Sequence, residues 1–384
     1  MLNKRKAAEC YYLANIVLTI KVIFASSSLI NSDLFDTILS GLYLSLILIK
    51  LFSQVYHIKD LVIFGVIGLL AVYTCKENNN YYLMFSCLSC FAIQGIDLKI
   101  LLKYRCWTKI FLIAFHVLYT FGMMLVDFSA VPTIERNGYI RYFFYLGQPN
   151  TFQMYVLWTT LEFMYVYFDK VNERKILGIL ALNIFFYSFT NSNTAIQVML
   201  FVGVLLYLYK HHYAIARRII NWISQYGYGV FTVMILLLMY MYNYSGGILR
   251  VITRVINKGM TGRLAYGAYA LYRDGLAIIG HRLSLEEVTL WNGQWFDALY
   301  LDSAYMALLL KYGIVWILIA VYGIYQCAKK KKIRENIFLM AYILYGIMES
   351  YVLDASICFP ILFLGKQYFD QTKKENEIRR GEVK

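Results

Sequence analysis

Apolar runs of about 17 to 25 residues, each long enough to cross about 30 Å of hydrocarbon as a helix, recur along the whole chain with short polar breaks between them. Backbone N–H and C=O groups cannot go unpaired in lipid, so a helical bundle is the expected spanning structure. The pattern predicts about twelve spans, at approximately residues 10–31, 36–56, 61–75, 81–97, 107–127, 150–168, 176–191, 194–209, 226–244, 303–326, 337–353 and 355–369. The expected fold class is an all-α polytopic membrane protein forming one transmembrane domain over residues 1–384, with a large extracytoplasmic loop at 245–301 that carries helices of its own. The first run follows MLNKRK and shows no small-residue cleavage site, so it reads as a retained span.

Composition agrees with this pattern. Mean hydropathy of +0.54, 16% charged residues and 3 prolines in 384 residues exclude an ordinary soluble domain. Charge then orients the chain. If the basic start is cytoplasmic, every second break should be rich in Lys and Arg, and DLKILLKYR, DKVNERK, KHHYAIARR, AKKKKIREN and KKENEIRRGEVK all fall on that side. Both termini are therefore expected in the cytoplasm, and the net charge of +14 needs no nucleic-acid partner. The 7 cysteines lie scattered in or beside spans, which gives no disulfide framework. CLSC at Cys87 to Cys90 lacks a second pair to complete a metal site and reads as helix packing.

The basic residues left outside concentrate in two loops, one with Arg136 and Arg141, the other between spans nine and ten. In GILRVITRVINKG, Arg250, Arg254 and Lys258 recur every fourth residue among Ile, Leu and Val, the pattern of a helix lying in the membrane surface. Thr261 is the expected N-cap of a second helix, TGRLAYGAYALYRDG, closed by Gly275 and carrying Arg263 in its first turn, where N–H groups and a guanidinium suit an anion. After Arg141, Gly147 and Pro149 shape a turn while Gln148 and Asn150 present amides suited to sugar hydroxyls; Pro149 also fits the start of span six. Asp302 reads either as the N-cap of span ten or as a general base, with Tyr305 one turn on. Trp291 and Trp295 are spaced about one helical turn apart, for stacking on a sugar or anchoring the loop. His281 is a reserve base or a structural residue. Lys21, Lys50, His116, Glu162, Lys311 and Glu349 lie within spans, where they should face a cavity or a partner; Lys21 and Lys50 either snorkel or pair with an acid such as Glu162.

Three of these patterns resemble the Wzy family of O-antigen and capsular polysaccharide polymerases and, more distantly, the O-antigen ligases. They are LGQPN after Arg141, TGRL at Thr261 to Leu264, and LDSAYMALLLKYGI; a fourth, NSNTA at Asn191 to Ala195, departs by having Asn193 where Arg is usual, and Ser303 stands where Asn is usual. The resemblance implies a GT-C-like fold and a metal-independent glycosyltransferase with no cofactor. Such an enzyme moves a growing glycan from undecaprenyl pyrophosphate to the terminal sugar of a lipid-linked repeat unit, at the outer face of a bacterial plasma membrane. Carried over, Arg141 and Arg263 would hold the pyrophosphate and Asp302 would orient or deprotonate the acceptor, all three meeting in one outward cavity, with Gln148, Asn150, Tyr305 and His281 as substrate-binding candidates. Partners implied are the lipid-linked oligosaccharide, the bilayer, and chain-length regulator and flippase proteins. The alternatives are a lipid-linked oligosaccharide flippase, which would place its cations in the spans and keep outer loops short, and a ligase-type glycan transferase.

Overall fold

The computed structural model describes residues 3–30, 32–136, 138–284, 288–292, 294–296, 298–330 and 332–379. Over these residues the chain is mostly helical. In chain order come α1 (Lys4–Ala25), α2 (Asp33–Phe52), α3 (Ile58–Asn78), α4 (Tyr82–Phe91) and α5 (Leu98–Val126), then a hairpin of β1 (Thr133–Arg136) and β2 (Tyr139–Tyr142). Next are α6 (Pro149–Val166), α7 (Glu173–Thr190), α8 (Asn193–Lys210), and α9 (Ala214–Trp222), which continues through a π-helical turn into α10 (Tyr228–Tyr244). The long loop holds α11 (Gly247–Gly259), α12 (Arg263–Asp274) and a second hairpin, β3 (Thr289–Trp291) with β4 (Gln294–Phe296). α13 (Ala304–Ala307), α14 (Ile314–Lys329), α15 (Ile333–Gly346) and α16 (Leu362–Arg379) complete the described chain.

Six helical segments among the described residues are long and apolar enough to cross a membrane: Arg5–Ala25, Asp33–Phe52, Ile58–Asn78, Leu98–Val126, Asn193–Lys210 and Ala214–Tyr244. The protein is thus an all-helical chain of membrane type. The late segments differ from the expected pattern. Residues 303–326 do not form one continuous span, because α13 passes into a π-helical turn at Leu308–Tyr312 and the chain bends at Gly313, with φ of 107°. A Cβ at Gly313 would sit 2.6 Å from the Ile278 carbonyl oxygen, so only glycine admits this approach. The neighbouring segment takes up the freed carbonyls: Ala277 and His281 donate their N–H groups to Leu309 and Lys311. The run 337–353 likewise leaves α-helix at Gly346, and 355–369 regains it only at Leu362.

The chain divides into two compact units, each assembled from separate stretches: Met1–Tyr56 with Leu88–Arg218 and Ala355–Lys384, and His57–Cys87 with Ile219–Asp354. In the first, α6 is buried along nearly its whole length, and its one acid, Glu162, accepts from two cations, Arg105 and Lys109, each at 2.9 Å. Those cations lie one turn apart on α5 and also donate to the carbonyls of Ala355, Ser356 and Ile357, where the chain is not helical. Neither Lys21 nor Lys50 pairs with Glu162. Lys21 reaches Asp36 at 2.8 Å, and Lys50 donates to the Gln94 carbonyl. The sequence view overlooked Arg105, which ends the basic break and looks like a solvent-facing charge, and Lys109, near the start of the fifth predicted span. His116 is buried with its Nε2 2.9 Å from Ser27 Oγ.

In the second unit the long loop builds its own small core from Ala265, Tyr269 and Phe296, with Tyr242, Tyr266, Trp291 and Leu299 packed against it. Trp291 and Trp295 are not a helical pair. They lie on the two strands of the second hairpin, where Trp295 pairs with Leu290, and only Trp291 turns into the core, meeting Tyr242, Tyr269 and Tyr272. Asn292 adopts a left-handed conformation in the tight turn, which selects a hairpin over a helix. Trp291 therefore anchors the loop, while Trp295 stays 65% exposed.

Candidate functional site

The second unit brings one guanidinium to two carboxylates. Arg263 is the first residue of α12; its Nε lies 3.2 Å from Asp302 Oδ2, its Nη2 3.0 Å from Glu349 Oε1, and its Nη1 donates to Thr261 Oγ1 at 2.6 Å. Glu349 is buried and Asp302 is the open member, with 48% of its side chain exposed. The expected caps are both displaced. Thr261 is not the N-cap of α12: that place belongs to Gly262, because Thr261 and Gly262 take left-handed conformations to close α11, with Gly262 donating to the Asn257 carbonyl. Asn257 Oδ1 then accepts from Ala265 N, so α11 caps the first turn of α12 from outside. A β-branched residue with positive φ costs about 1–3 kcal/mol and persists where its surroundings dictate it. At Thr261 the twist delivers a hydroxyl to Arg263.

Asp302 is likewise not the N-cap of α13. Ser303 holds that position, and the Asp302 carboxylate turns to Arg263 instead. Ser303 Oγ donates to the Gly346 carbonyl, which draws the start of α13 to the end of α15 and so to Glu349. At Gly267 a Cβ would lie 2.6 Å from Met306 Sδ and 2.9 Å from Met239 Sδ, so these methionine side chains would have to move for any larger residue there. Tyr305, expected at the substrate, is fully buried and donates its hydroxyl to the Ile343 carbonyl, beneath the ring of Tyr228. His281 forms no hydrogen bond or ion pair with Arg263, Asp302 or Glu349; its backbone N–H binds Lys311 O. Glu349 is the functional residue that sequence reasoning left unassigned. An acid inside an apolar run was its only signal, and nothing local tied it to an arginine 86 residues away.

The first unit holds the other arginine. Arg141 sits on β2 opposite Ile134 and is 6% exposed. Its Nε donates to the Thr190 carbonyl at 2.7 Å and its Nη2 to Asn150 Oδ1 at 2.9 Å. Among the described residues it has no carboxylate partner. Burial, and then the charge of Arg136, lower its pKa from the ordinary arginine value, though a guanidinium still stays protonated at neutral pH. The turn that follows is stiff: Phe144 and Tyr145 both have positive φ, and Phe144 is locked among Phe121, Phe152, Phe186 and Phe189. Pro149 opens α6, and Gln148 precedes it with an exposed side chain that makes no capping bond. The Asn191–Ala195 pattern forms the α7–α8 turn, so Thr190 before it meets Arg141 directly.

These two arrangements offer different chemistry. Arg141 is a buried cation bound only to neutral acceptors, which leaves its charge for an anion. Arg263 carries two carboxylates, so the trio has a net charge of −1 when both are ionised, and the guanidinium serves to orient Asp302. No protein-family model, curated protein or solved structure matches the chain.

Proposed function

We propose that this protein is a bacterial polysaccharide polymerase that transfers a growing glycan from undecaprenyl pyrophosphate to the terminal sugar of a lipid-linked repeat unit. The observation that carries the reading is the trio in the second unit: a half-open carboxylate, Asp302, held by a guanidinium whose far side is fixed by buried Glu349. In this reading the acceptor hydroxyl gives its proton to Asp302 as its oxygen attacks the anomeric carbon, and the bond to the pyrophosphate breaks with its electron pair on the leaving oxygen. Arg141, in the first unit and bound only to neutral acceptors among the described residues, is in its own right suited to hold an anion such as a lipid pyrophosphate. Gln148, exposed at the start of α6, remains available to sugar hydroxyls. The role expected for Arg263 shifts from gripping pyrophosphate to positioning the base, because two carboxylates at 3.2 and 3.0 Å would repel a second anion.

The reading includes a GT-C-like architecture of about twelve spans, counting α4, α6, α7, α15, α16 and the broken α13–α14 segment with the six long ones. It places both termini in the cytoplasm and the 245–301 loop outside. The test is purified protein incubated with a lipid-linked repeat unit and a chelator. A ladder of longer lipid-linked products is expected, absent in a folded Asp302→Asn protein; no ladder from the wild type removes the enzyme reading. A flippase is the second reading, favoured by the buried Arg105–Lys109–Glu162 cluster, a group of the kind that lines transport paths. Passage of the repeat unit across a vesicle wall without elongation would decide for it.

A further inference from the structure

We propose that a cavity between the start of α5 and the end of α6 binds the phosphate headgroup of an anionic phospholipid. The cavity, about 280 Å³, lies wholly within the first unit and uses none of the residues assigned to glycan transfer. Lys99 and Lys103, one turn apart on α5, face Lys170 in the turn that follows α6. Asp169 is the one acid on its wall, which leaves an excess of two positive charges. None of these four side chains forms an ion pair among the described residues. Three lysines lining one small cavity with a single acid give it a positive potential that an anion would relieve.

The rest of the wall says which anion. Ile100 and Val166 give it an apolar part, and Tyr167 adds a hydroxyl that bonds to no other described residue. A soluble phosphate would gain nothing from an apolar wall, whereas a glycerophospholipid carries its acyl chains directly below its phosphate. Depth agrees. Tyr104, next to Lys103, and Trp107, one turn past it, are half exposed, and such rings favour the headgroup layer. Beyond them α5 exposes Phe111, Phe115 and Leu118, a surface suited to hydrocarbon. The cavity thus lies at the polar end of a lipid-facing helix, where a bound lipid's chains can follow α5 inward. The two basic breaks that frame it, DLKILLKYR and DKVNERK, fall on the side that the positive-inside pattern assigns to the cytoplasm, where basic pockets between helices hold anionic headgroups.

The experiment is native mass spectrometry of the full chain released from detergent micelles, titrated with phosphatidylglycerol or with phosphatidylcholine. One phosphatidylglycerol should remain bound at concentrations where phosphatidylcholine does not. A Lys99→Gln, Lys103→Gln, Lys170→Gln protein should bind it about tenfold or more weakly, and the corresponding three-arginine protein should bind it as the wild type does. Equal binding of both lipids, or unchanged binding by the glutamine variant, would overturn the proposal. So would displacement of the lipid by millimolar inorganic phosphate, which would make free phosphate the ligand. Because the lysines are exposed, both variants should fold; a thermal shift on adding phosphatidylglycerol, present in the arginine protein and absent in the glutamine one, gives a second readout.

Discussion

Arg141 and Arg263 are buried to nearly the same degree, 6% and 8% exposed, and each lies beside a turn with left-handed residues, yet their partners differ completely. Arg141 donates to a backbone carbonyl and an amide oxygen, whereas Arg263 donates to the Glu349 carboxylate and the Thr261 hydroxyl and forms an ion pair with Asp302. Burial alone therefore says little about what an arginine does. A guanidinium among neutral acceptors keeps its charge for an incoming anion, whereas one between acids spends it inside the protein and fixes their geometry. The same contrast separates Glu162 from Glu349: the former accepts from two cations, the latter shares one cation with a second acid.

The sharpest break in this comparison is Asp302→Asn. Ser303 holds the cap position of α13, so the amide should leave the fold intact while turnover falls by about a hundredfold or more, as expected for a lost general base. The ladder assay and a thermal melt together check it; a fully active variant would reduce Asp302 to an Arg263 partner only. Next comes Glu349→Ala, which removes the buried carboxylate behind Arg263. It should lower unfolding stability by about 3 kcal/mol, the low end for breaking a buried pair, because Asp302 still faces the guanidinium. Unfolding in a denaturant series measures this, and a change below about 1 kcal/mol would show that Glu349 does not hold the trio.

Arg141→Lys tests the other side of the contrast. An ammonium cannot reach Thr190 O and Asn150 Oδ1 in the two directions that the planar fork spans, so affinity for a lipid pyrophosphate should drop about tenfold to a hundredfold, nearly as far as in Arg141→Ala. Equal affinity in Arg141→Lys and wild type would mean that charge alone matters there. The smallest effect belongs to α11, where Arg250, Arg254 and Lys258 are all exposed beside an outward apolar arc of Ile248, Val251, Ile252 and Val255. Arg254→Gln should weaken attachment of the loop to an anionic surface by about 1 kcal/mol, or about fivefold, with turnover retained. Loss of all turnover in that single variant would move the anion site from Arg141 to α11.

The sequence by itself determined the local structure. Long apolar runs made α1, α2, α3, α5 and α8 legible, since a span must satisfy its own backbone. Four-residue periodicity predicted α11, and Gly275 the end of α12. Gly147 and Pro149 announced the turn into α6, and the aromatic and aliphatic content that argued against disorder in the 245–301 loop includes the residues of its small core. Each of these signals acts over a few residues, where hydrogen bonding and sterics are set by near neighbours.

Only the tertiary structure decided the partners. Glu349 and Asp302 reach Arg263 across 86 and 39 residues, and no local rule says which of several acids will arrive. Reading Asp302 as a cap failed for the same reason: the carboxylate had a choice between its own helix and a distant guanidinium, and the charge-assisted contact took it. Lys21, Lys50, Arg105 and Lys109 all competed in principle for Glu162, and helix packing chose the two on one face of α5. The break at Gly313 escaped notice because an apolar run reads as helix whether it is straight or bent. It takes the close passage of Ile278, which a Cβ would block, to show why the chain turns there.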